Sequence, residues 1–300
     1  MSVLITGSMA MDDIATPSHK KKNLLGGSAS YASVAASFFS DVFLVSVVGT
    51  DFPEEHRRLF KKRKIDMEGL EAAKGKTFRW SGVYEKNMNN RRTLSVHLNV
   101  FETFSPRLPE KYRRASHVLL ANISPELQLQ VLDQLHRPKF VVADTMDLWI
   151  NTTRAQLLKL LARVNLLILN DSEARQLSGE DNLIRAAAWL RKQGPPFVAI
   201  KKGEHGCLLF GPKDQFFTAP AVPLDRVIDP TGAGDAFAGG LVGHLASSGK
   251  TDFENLKKGV IEGTILASFT VQDFSLNRLI KLTPAEIKKR KQLLRSLIHY

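Results

Sequence analysis

The stretch IDPTGAGDAFAGGLVGHLASSG, residues 228–249, carries the strongest structural signal in the chain. Within it Phe237, Leu241 and Leu245 recur every four residues, and Gly249 follows as a stop signal. This spacing predicts a helix with one apolar face that ends before Gly249. The start of the helix has an unusual composition, which calls for a chemical explanation.

The helix begins at the segment TGAG, residues 231–234, in which small residues predominate. They leave the first backbone N–H groups unscreened, and these donors, with the positive end of the helix dipole, form a site suited to phosphate. Asp235 follows directly, where its charge would repel an anion. Two interpretations stay open from the residues alone. Either Asp235 caps the helix, or the anion is a transferring phosphoryl group and Asp235 takes a proton from the attacking hydroxyl.

The composition describes a globular protein. With 300 residues and 43% hydrophobic content, the chain can bury a core as one large domain or two smaller ones. No run of about 18 apolar residues predicts a membrane span. The N-terminus has no basic leader before a long apolar stretch, so we expect a cytoplasmic protein. A single cysteine, Cys207, excludes an intramolecular disulfide and a cysteine-rich metal site.

The net charge of +12 raises the possibility of a nucleic-acid partner. The basic residues lie in separate clusters, near residues 19–22, 57–64 and 288–291, without a zinc-finger or other recognition signature. We interpret these clusters as solvated faces and expect no nucleic-acid partner. The positive field would still favour a small anionic substrate.

Short apolar runs alternate with segments of helical period, and this alternation predicts the fold class. We expect an α/β fold with a mainly parallel central sheet flanked by helices on both faces. The predicted strands are residues 3–5, 42–48, 118–120, 140–142, 166–169 and 197–200. Ligands gather at the carboxyl ends of such strands. Asn122, Asp144, Asn170 and the pair Lys201–Lys202 follow these runs, which predicts a shared edge that holds chemistry.

Residues 75–104 have a different pattern. Two alternating apolar runs flank an Asn-rich segment at 86–90, which is typical of a hairpin with a long loop. We expect a small separate sheet that serves as a lid over the site, as a contact between two copies of the chain, or as both.

Several segments of the chain resemble motifs of a known family. Residues 229–240, DPTGAGDAFAGG, are similar to the C-terminal signature of the ribokinase-like, or phosphofructokinase B (PfkB), carbohydrate kinases. Residues 26–31 (GGSASY), 170–173 (NDSE) and 202–206 (KGEHG) resemble further motifs of the family in the expected order. The resemblance implies a single ribokinase-like domain over residues 1–300, with a lid formed by insertions near 13–25 and 75–104.

The resemblance also implies transfer of the γ-phosphoryl group of ATP to a hydroxyl group. The amides of Gly232, Ala233, Gly234 and Asp235 would then form an anion hole, with Asp235 as the base. Glu173 would organise Mg²⁺, through water, and Asp229 corresponds to a residue near a monovalent-cation site, which suggests K⁺. The resemblance assigns these residues to the nucleotide side: Asn170, Glu173, Lys202, Gly203, Gly206 and Thr231.

On the acceptor side, family members hold hydroxyl groups with an aspartate after the first strand. Asp12 matches that position, and Asp13 competes with it. A carboxylate can accept from two neighbouring hydroxyls, which suits a vicinal diol. Gly26 and Gly27 would let the acceptor approach the backbone closely.

Tyr31 departs from the pattern, because ribokinases and adenosine kinases usually carry Asn at this position. A pocket with an aromatic ring here fits a stacked base, or a sugar other than ribose. The leading prediction is therefore a sugar kinase. The alternatives are a nucleoside kinase of the adenosine or inosine type, with Tyr31 and Trp80 as stacking partners, and a catalytically silent sensor that has kept the fold.

Overall fold

The computed structural model describes residues 1–298, and its strands form two sheets. The strands are β1 (Ser2–Thr6), β2 (Ala10–Ala15), β3 (Lys20–Gly26), β4 (Asp41–Gly49), β5 (Asp66–Ala73), β6 (Phe78–Tyr84), β7 (Arg91–His97), β8 (His117–Leu120), β9 (Phe140–Asp144), β10 (Leu166–Asn170), β11 (Phe197–Lys201), β12 (Cys207–Phe210) and β13 (Phe216–Ala219). Nine strands form the large sheet in the order β13-β12-β11-β10-β9-β8-β1-β4-β5. The pairings from β5 to β11 are parallel, and β12 and β13 extend the sheet in antiparallel fashion. The predicted mainly parallel sheet is confirmed.

Helices cover both faces of this sheet. They are α1 (Ser28–Ala36), α2 (Glu54–Lys62), α3 (Pro125–Asp133), α4 (Asp147–Thr152), α5 (Arg154–Leu161), α6 (Asp171–Ser178), α7 (Leu183–Lys192), α8 (Ala233–Ser248), α9 (Phe253–Thr270) and α10 (Pro284–Ser296). In β1, Val3 and Ile5 face the cluster that contains α1, α8 and α9, while Leu4 faces the cluster that contains α5 and α7. A strand buried on both faces must be apolar throughout, which explains why these strands read as continuous hydrophobic runs. Within residues 1–298, no helix is both long and apolar enough to cross a bilayer.

Helix α8 occupies the predicted position, and Gly249 ends it in the left-handed conformation, with φ 68°. The prediction of one apolar face is wrong, because α8 is buried on several sides. Its glycines allow neighbouring helices to approach: a Cβ on Gly239 would lie 2.2 Å from the carbonyl oxygen of Ala32 in α1. Glycine and alanine add little to a hydrophobic pattern, so the sequence does not reveal that they form packing surfaces on this helix.

The second sheet is the predicted lid. Its strand order is β3-β2-β6-β7, with β2 antiparallel to β3 and parallel to β6, and β6 antiparallel to β7. Its first segment begins at Ala10, a little before the predicted insertion at 13–25, and the predicted hairpin over 75–104 contains β6 and β7. On one face, Ile14 and Tyr84 pack with Phe274 in a small apolar cluster, which joins the lid to the body of the protein.

Candidate active site

The turn before α8 has two unengaged amides. Gly232 adopts φ 79°, and a Cβ there would lie 2.4 Å from the ring of Tyr31, so the position requires glycine. The N–H groups of Gly232 and Gly234 donate to no protein atom in residues 1–298, and the N–H of Asp235, just inside the helix, donates to no other residue there. The N–H of Ala233, in contrast, donates to the carbonyl oxygen of Pro230 at 3.2 Å. The prediction that Ala233 contributes its amide to the anion hole is therefore wrong for this conformation, because the turn itself uses that donor.

Asp235 lies at the end of this turn and is partly exposed. Burial, together with the nearby charge of Asp144, raises the pKa of Asp235 to about 6, against the opposing effect of Lys201. A carboxyl with this pKa is ionised at neutral pH and accepts a proton more readily than an ordinary aspartate. Its environment therefore suits a general base.

The carboxyl ends of the strands meet the start of α8, as the sequence predicts. Asp144 ends β9, Lys201 ends β11, and the Lys201 Nζ lies 3.3 Å from Asp144 Oδ2 and 3.4 Å from Oδ1. A Cβ on Gly234 would lie 2.9 Å from the same Nζ, so the ammonium group stands against the helix start. Lys202, which the motif predicts on the nucleotide side, makes no side-chain hydrogen bond or ion pair in the described part of the chain. Lys201 is the lysine that reaches the site.

Asn170 and Glu173 form the capping box of α6. Asn170 Oδ1 accepts from the Glu173 N–H at 2.8 Å, and Glu173 Oε2 accepts from the Asn170 N–H at 2.8 Å. Burial raises the pKa of Glu173 to about 7, with a contribution from Asp144 and against the effect of Lys201. Glu173 Oε1 accepts no hydrogen bond from residues 1–298. One carboxylate oxygen thus stays available for a water ligand of a metal ion.

The glycine-rich turn after β11 is tight. Gly203 and Gly206 have φ 55° and 82°, and the Lys202 N–H donates to the Gly206 carbonyl oxygen at 2.8 Å. A side chain on Gly206 would meet the carbonyl oxygen of Ala219 at 2.0 Å. The loop of the lid hairpin reaches this turn, where Asn89 Nδ2 donates to Glu204 Oε1 at 3.2 Å.

Asp12 and Asp13 point to opposite faces of β2, because side chains alternate along a strand. Asp12 is 3% exposed, and its Oδ1 has no hydrogen-bond partner among the described residues. A Cβ on Gly26 would lie 1.8 Å from Asp12 Oδ2, so glycine makes room for this carboxylate. Burial and the charges of Asp229 and Asp235 raise the pKa of Asp12 well above its usual value. Asp13 instead accepts from the Asn23 N–H at 2.8 Å on the other face.

Beyond Gly27, the chain contacts a second polar residue of the site, Asn122. Gly27 has φ 90° and leads into α1, where the Ser28 hydroxyl donates to the backbone carbonyl of Asn122 at 3.1 Å. The Asn122 side chain is partly exposed at the same edge, and its Oδ1 accepts from Trp149 Nε1 at 2.9 Å. The indole therefore fixes the orientation of the amide. Sequence analysis missed Trp149, since helix α4 carries no recognisable motif.

Tyr31 does not offer a stacking surface. Its side chain is 1% exposed, and its ring lies against Gly232. Its hydroxyl is buried and has no partner within residues 1–298. The prediction that Tyr31 stacks on a base is wrong for this conformation, because the ring supports the glycine turn.

Asp229 and Thr231 connect the turn to its surroundings. Asp229 is 1% exposed, Oδ1 accepts from the Thr231 N–H at 2.9 Å, and Oδ2 is buried without a partner in the part of the chain described. Burial raises the pKa of Asp229, although the bonds from Thr231 oppose this shift. An unpartnered buried carboxylate oxygen is consistent with a cation ligand. The Thr231 hydroxyl donates to the Tyr84 hydroxyl at 3.0 Å, and so joins the turn to the lid.

The lid also brings a cation that no motif indicates. Arg91 is paired in register with Tyr84, and its guanidinium lies 5.9 Å from the centre of the Trp80 ring. Trp80 itself covers Gly82 and donates to the Thr93 hydroxyl at 3.2 Å. Its ring is packed within the lid, and the expectation that it is free to stack finds no support here. The alternation of the hairpin could have placed Arg91 on the same face as Tyr84.

Comparison with known proteins identifies the family of the chain. The family model described as pfkB family carbohydrate kinase matches residues 3–281. A cytidine kinase from Thermococcus kodakarensis is 29% identical over 247 residues, which cover 81% of this chain and 87% of that protein.

Two solved structures show the same fold. A nucleoside kinase from Burkholderia thailandensis in complex with inosine has a TM-score of 0.80 at 19% identity and covers 98% of this chain and 99% of that one. A fructokinase variant from Vibrio cholerae, bound to fructose, ADP and potassium ion, has a TM-score of 0.79 at 16% identity and covers 96% and 97%. The predicted ribokinase-like architecture is confirmed. Since the family model spans nearly the whole chain, this protein belongs to the pfkB family of carbohydrate kinases.

Proposed function

We propose that this kinase transfers the γ-phosphoryl group of ATP to a hydroxyl of a ribonucleoside, with Asp235 as the base. The observation that carries the proposal is the start of α8, where a carboxylate of raised pKa adjoins two unengaged amides, at Gly232 and Gly234. Amides aimed at developing charge and a base beside them are what a phosphoryl transfer requires.

The proposed transfer forms one bond and breaks one bond at the γ-phosphorus, and it moves one proton. An acceptor hydroxyl oxygen forms a bond to the γ-phosphorus, the bond from that phosphorus to the β-γ bridging oxygen breaks, and ADP leaves with the electron pair. Asp235 receives the proton of the hydroxyl. Gly232 and Gly234 stabilise charge on the γ-phosphoryl oxygens, and the buried Asp12 holds further hydroxyls of the acceptor.

The residues fit the metal ions that the resemblance implies. Glu173 Oε1 would hold a water of Mg²⁺, which offsets phosphate charge when it is bound to ATP. Within residues 1–298, no group of three or more Asp, Glu, His or Cys residues could hold a metal ion. Asp229 Oδ2 would contribute to a K⁺ site.

A nucleoside is favoured over a free sugar by the edge beside the acceptor site. Trp149 orients the Asn122 amide so that its NH₂ group faces only the sulfur of Met146, at 3.1 Å, which is a weak acceptor. A carbonyl oxygen or ring nitrogen of a base would satisfy that donor better. The named activity of the cytidine kinase relative also supports a nucleoside.

A panel of acceptors tests this proposal. Purified protein with Mg·ATP is assayed against ribonucleosides, free sugars and sugar phosphates, and ADP release is measured with a no-acceptor control. We expect kcat/KM for the best nucleoside to exceed that for every free sugar by at least about 100-fold, because a base would accept a hydrogen bond from the Asn122 amide that Trp149 orients.

Turnover with sugars alone would overturn the nucleoside assignment and restore the leading sequence prediction. ATP binding without turnover of any acceptor would favour the silent-sensor alternative.

We further propose a homodimer through the lid. Strand β7 is an edge of the lid sheet; its Leu94 and Val96 are 56% and 49% exposed, and Leu98, which follows the strand, is 43% exposed. Exposed apolar side chains on an unpaired edge strand favour pairing with a second copy. Sedimentation should show a dimer that Val96→Lys converts to monomer, since the change buries a charge at the contact. A monomeric parent protein would exclude this arrangement.

A further inference from the structure

Lys201 is a buried cation for which no family motif in this sequence accounts. Only 19% of its side chain is exposed, and its Nζ stands against Gly234 at the start of α8. We infer that Lys201 is a catalytic residue whose ammonium group binds the γ-phosphoryl oxygens during transfer, and that Asp144 is the residue that positions it. The inference rests on the proposed phosphoryl transfer and adds a residue to it.

The site needs a positive charge at this point. Asp144, Glu173 and Asp235 all contribute negative charge around Lys201. An incoming triphosphate adds more, while the N–H of Ala233, one of the four predicted donors, is already engaged. A fixed ammonium group beside Gly234 compensates the negative charge that the amides alone do not balance. Lys201 remains charged: although burial favours the neutral amine, Asp144 and the other carboxylates raise its pKa above the ordinary value.

The contact with Asp144 holds Lys201 in place and leaves donors of its ammonium group free for another ligand. Distances of 3.3 and 3.4 Å to the two oxygens are long for a charge-assisted hydrogen bond. The ammonium group has three donors, so others stay available for an anion. Asp144 is itself fixed, because its Oδ1 accepts from the Thr145 N–H at 3.0 Å, and Gln128 Nε2 donates to its backbone carbonyl at 3.0 Å.

Substitution of Lys201 by Met tests the inference in two ways. With the best acceptor of the panel, we expect kcat to fall by roughly 100-fold, the size of effect seen when a transition-state donor is removed. By calorimetry, we expect ATP to bind about 10-fold more weakly and ADP affinity to change less than about twofold, since Lys201 contacts only the γ-phosphoryl group. The second measurement needs no acceptor. A selective loss of ATP affinity would therefore support the Lys201 contact even if the nucleoside proposal failed.

Controls separate a phosphate contact from a structural role. Lys201→Arg keeps the cation and should retain more kcat than Lys201→Met. Asp144→Asn should lower kcat by about 10-fold with little change in ADP affinity, because it loosens the position of Lys201, while the charges of Glu173 and Asp235 still favour the ammonium form. Lys192→Met removes an exposed lysine at the end of α7 and should leave both measurements unchanged.

Three results would overturn the inference. They are parental kcat in Lys201→Met, equal loss of ATP and ADP affinity in that variant, and a larger effect from Lys202→Met than from Lys201→Met. The last result would return the role to the lysine that the motif predicts.

Discussion

Asp235→Asn is expected to lower kcat by roughly 10³-fold while ATP affinity changes by less than about threefold, because the variant loses the base and keeps the helix start. Steady-state kinetics with the best acceptor and calorimetry with ATP measure the two quantities. In the parent enzyme, kcat/KM should fall as the pH drops below about 6, where Asp235 becomes protonated. The residual activity of the variant should lose the Asp235 part of this dependence and keep the part that comes from Glu173, whose pKa is about 7.

Asp252 provides a matched control for the competing interpretation, in which Asp235 only caps a helix. Asp252 does cap α9, where its Oδ1 accepts from the Asn255 N–H at 2.9 Å. Asp252→Ala should lower the free energy of unfolding by about 1 kcal/mol and leave kcat unchanged. If Asp235→Asn behaves in the same way, with normal turnover and reduced stability, Asp235 is a cap and not a base.

Asp12→Asn is expected to lower kcat/KM for the acceptor by roughly 100-fold, with KM for ATP changed less than about twofold. Asn preserves the shape beside Gly26, but its NH₂ group replaces one of the oxygens that would accept from a vicinal diol. A lost hydrogen bond to a buried charged group, with one donor left unpaired, accounts for an effect of this size. Kinetics at varied acceptor and fixed saturating ATP measure it.

The neighbouring residue supplies the comparison. Asp13→Asn removes the same charge from the opposite face of β2, where Asp13 accepts from the Asn23 N–H. It should leave kcat/KM for the acceptor within about twofold of the parent value, because backbone capping on the outer face is retained by an amide oxygen. Unchanged acceptor kinetics in Asp12→Asn, or the larger loss in Asp13→Asn, would refute the assignment of Asp12.

The large sheet and α8 could be predicted from the sequence because their signals are local. Apolar runs such as those in β1 and β11 need only their own residues to be recognised, and the glycines before Asp235 mark the helix start. The choice between Lys201 and Lys202 could not be made in this way. It depends on how strand β11 twists into the glycine turn, and on the proximity of α8, more than thirty residues further along the chain.

The roles of Tyr31, Trp149 and Arg91 also depend on contacts between distant parts of the chain. The sequence suggests that Tyr31 is available for stacking, whereas its ring packs against Gly232, a contact across 201 positions that no periodicity indicates. Trp149 and Arg91 lie in segments without a motif. Their positions in the site become apparent only from the hydrogen bond of Trp149 to Asn122 and the pairing of Arg91 with Tyr84. Sequence patterns locate elements, whereas the partners of a side chain follow from packing.

Two hydrogen bonds, besides its other contacts, fasten the lid hairpin near the site: Tyr84 accepts from Thr231 in the turn, and Asn89 donates to Glu204 beyond β11. A hairpin tied at both points must release both ties before it swings away. Departure of ADP and departure of the phosphorylated product would then depend on a common opening event, and the frequency of that event would set one ceiling on turnover for every acceptor.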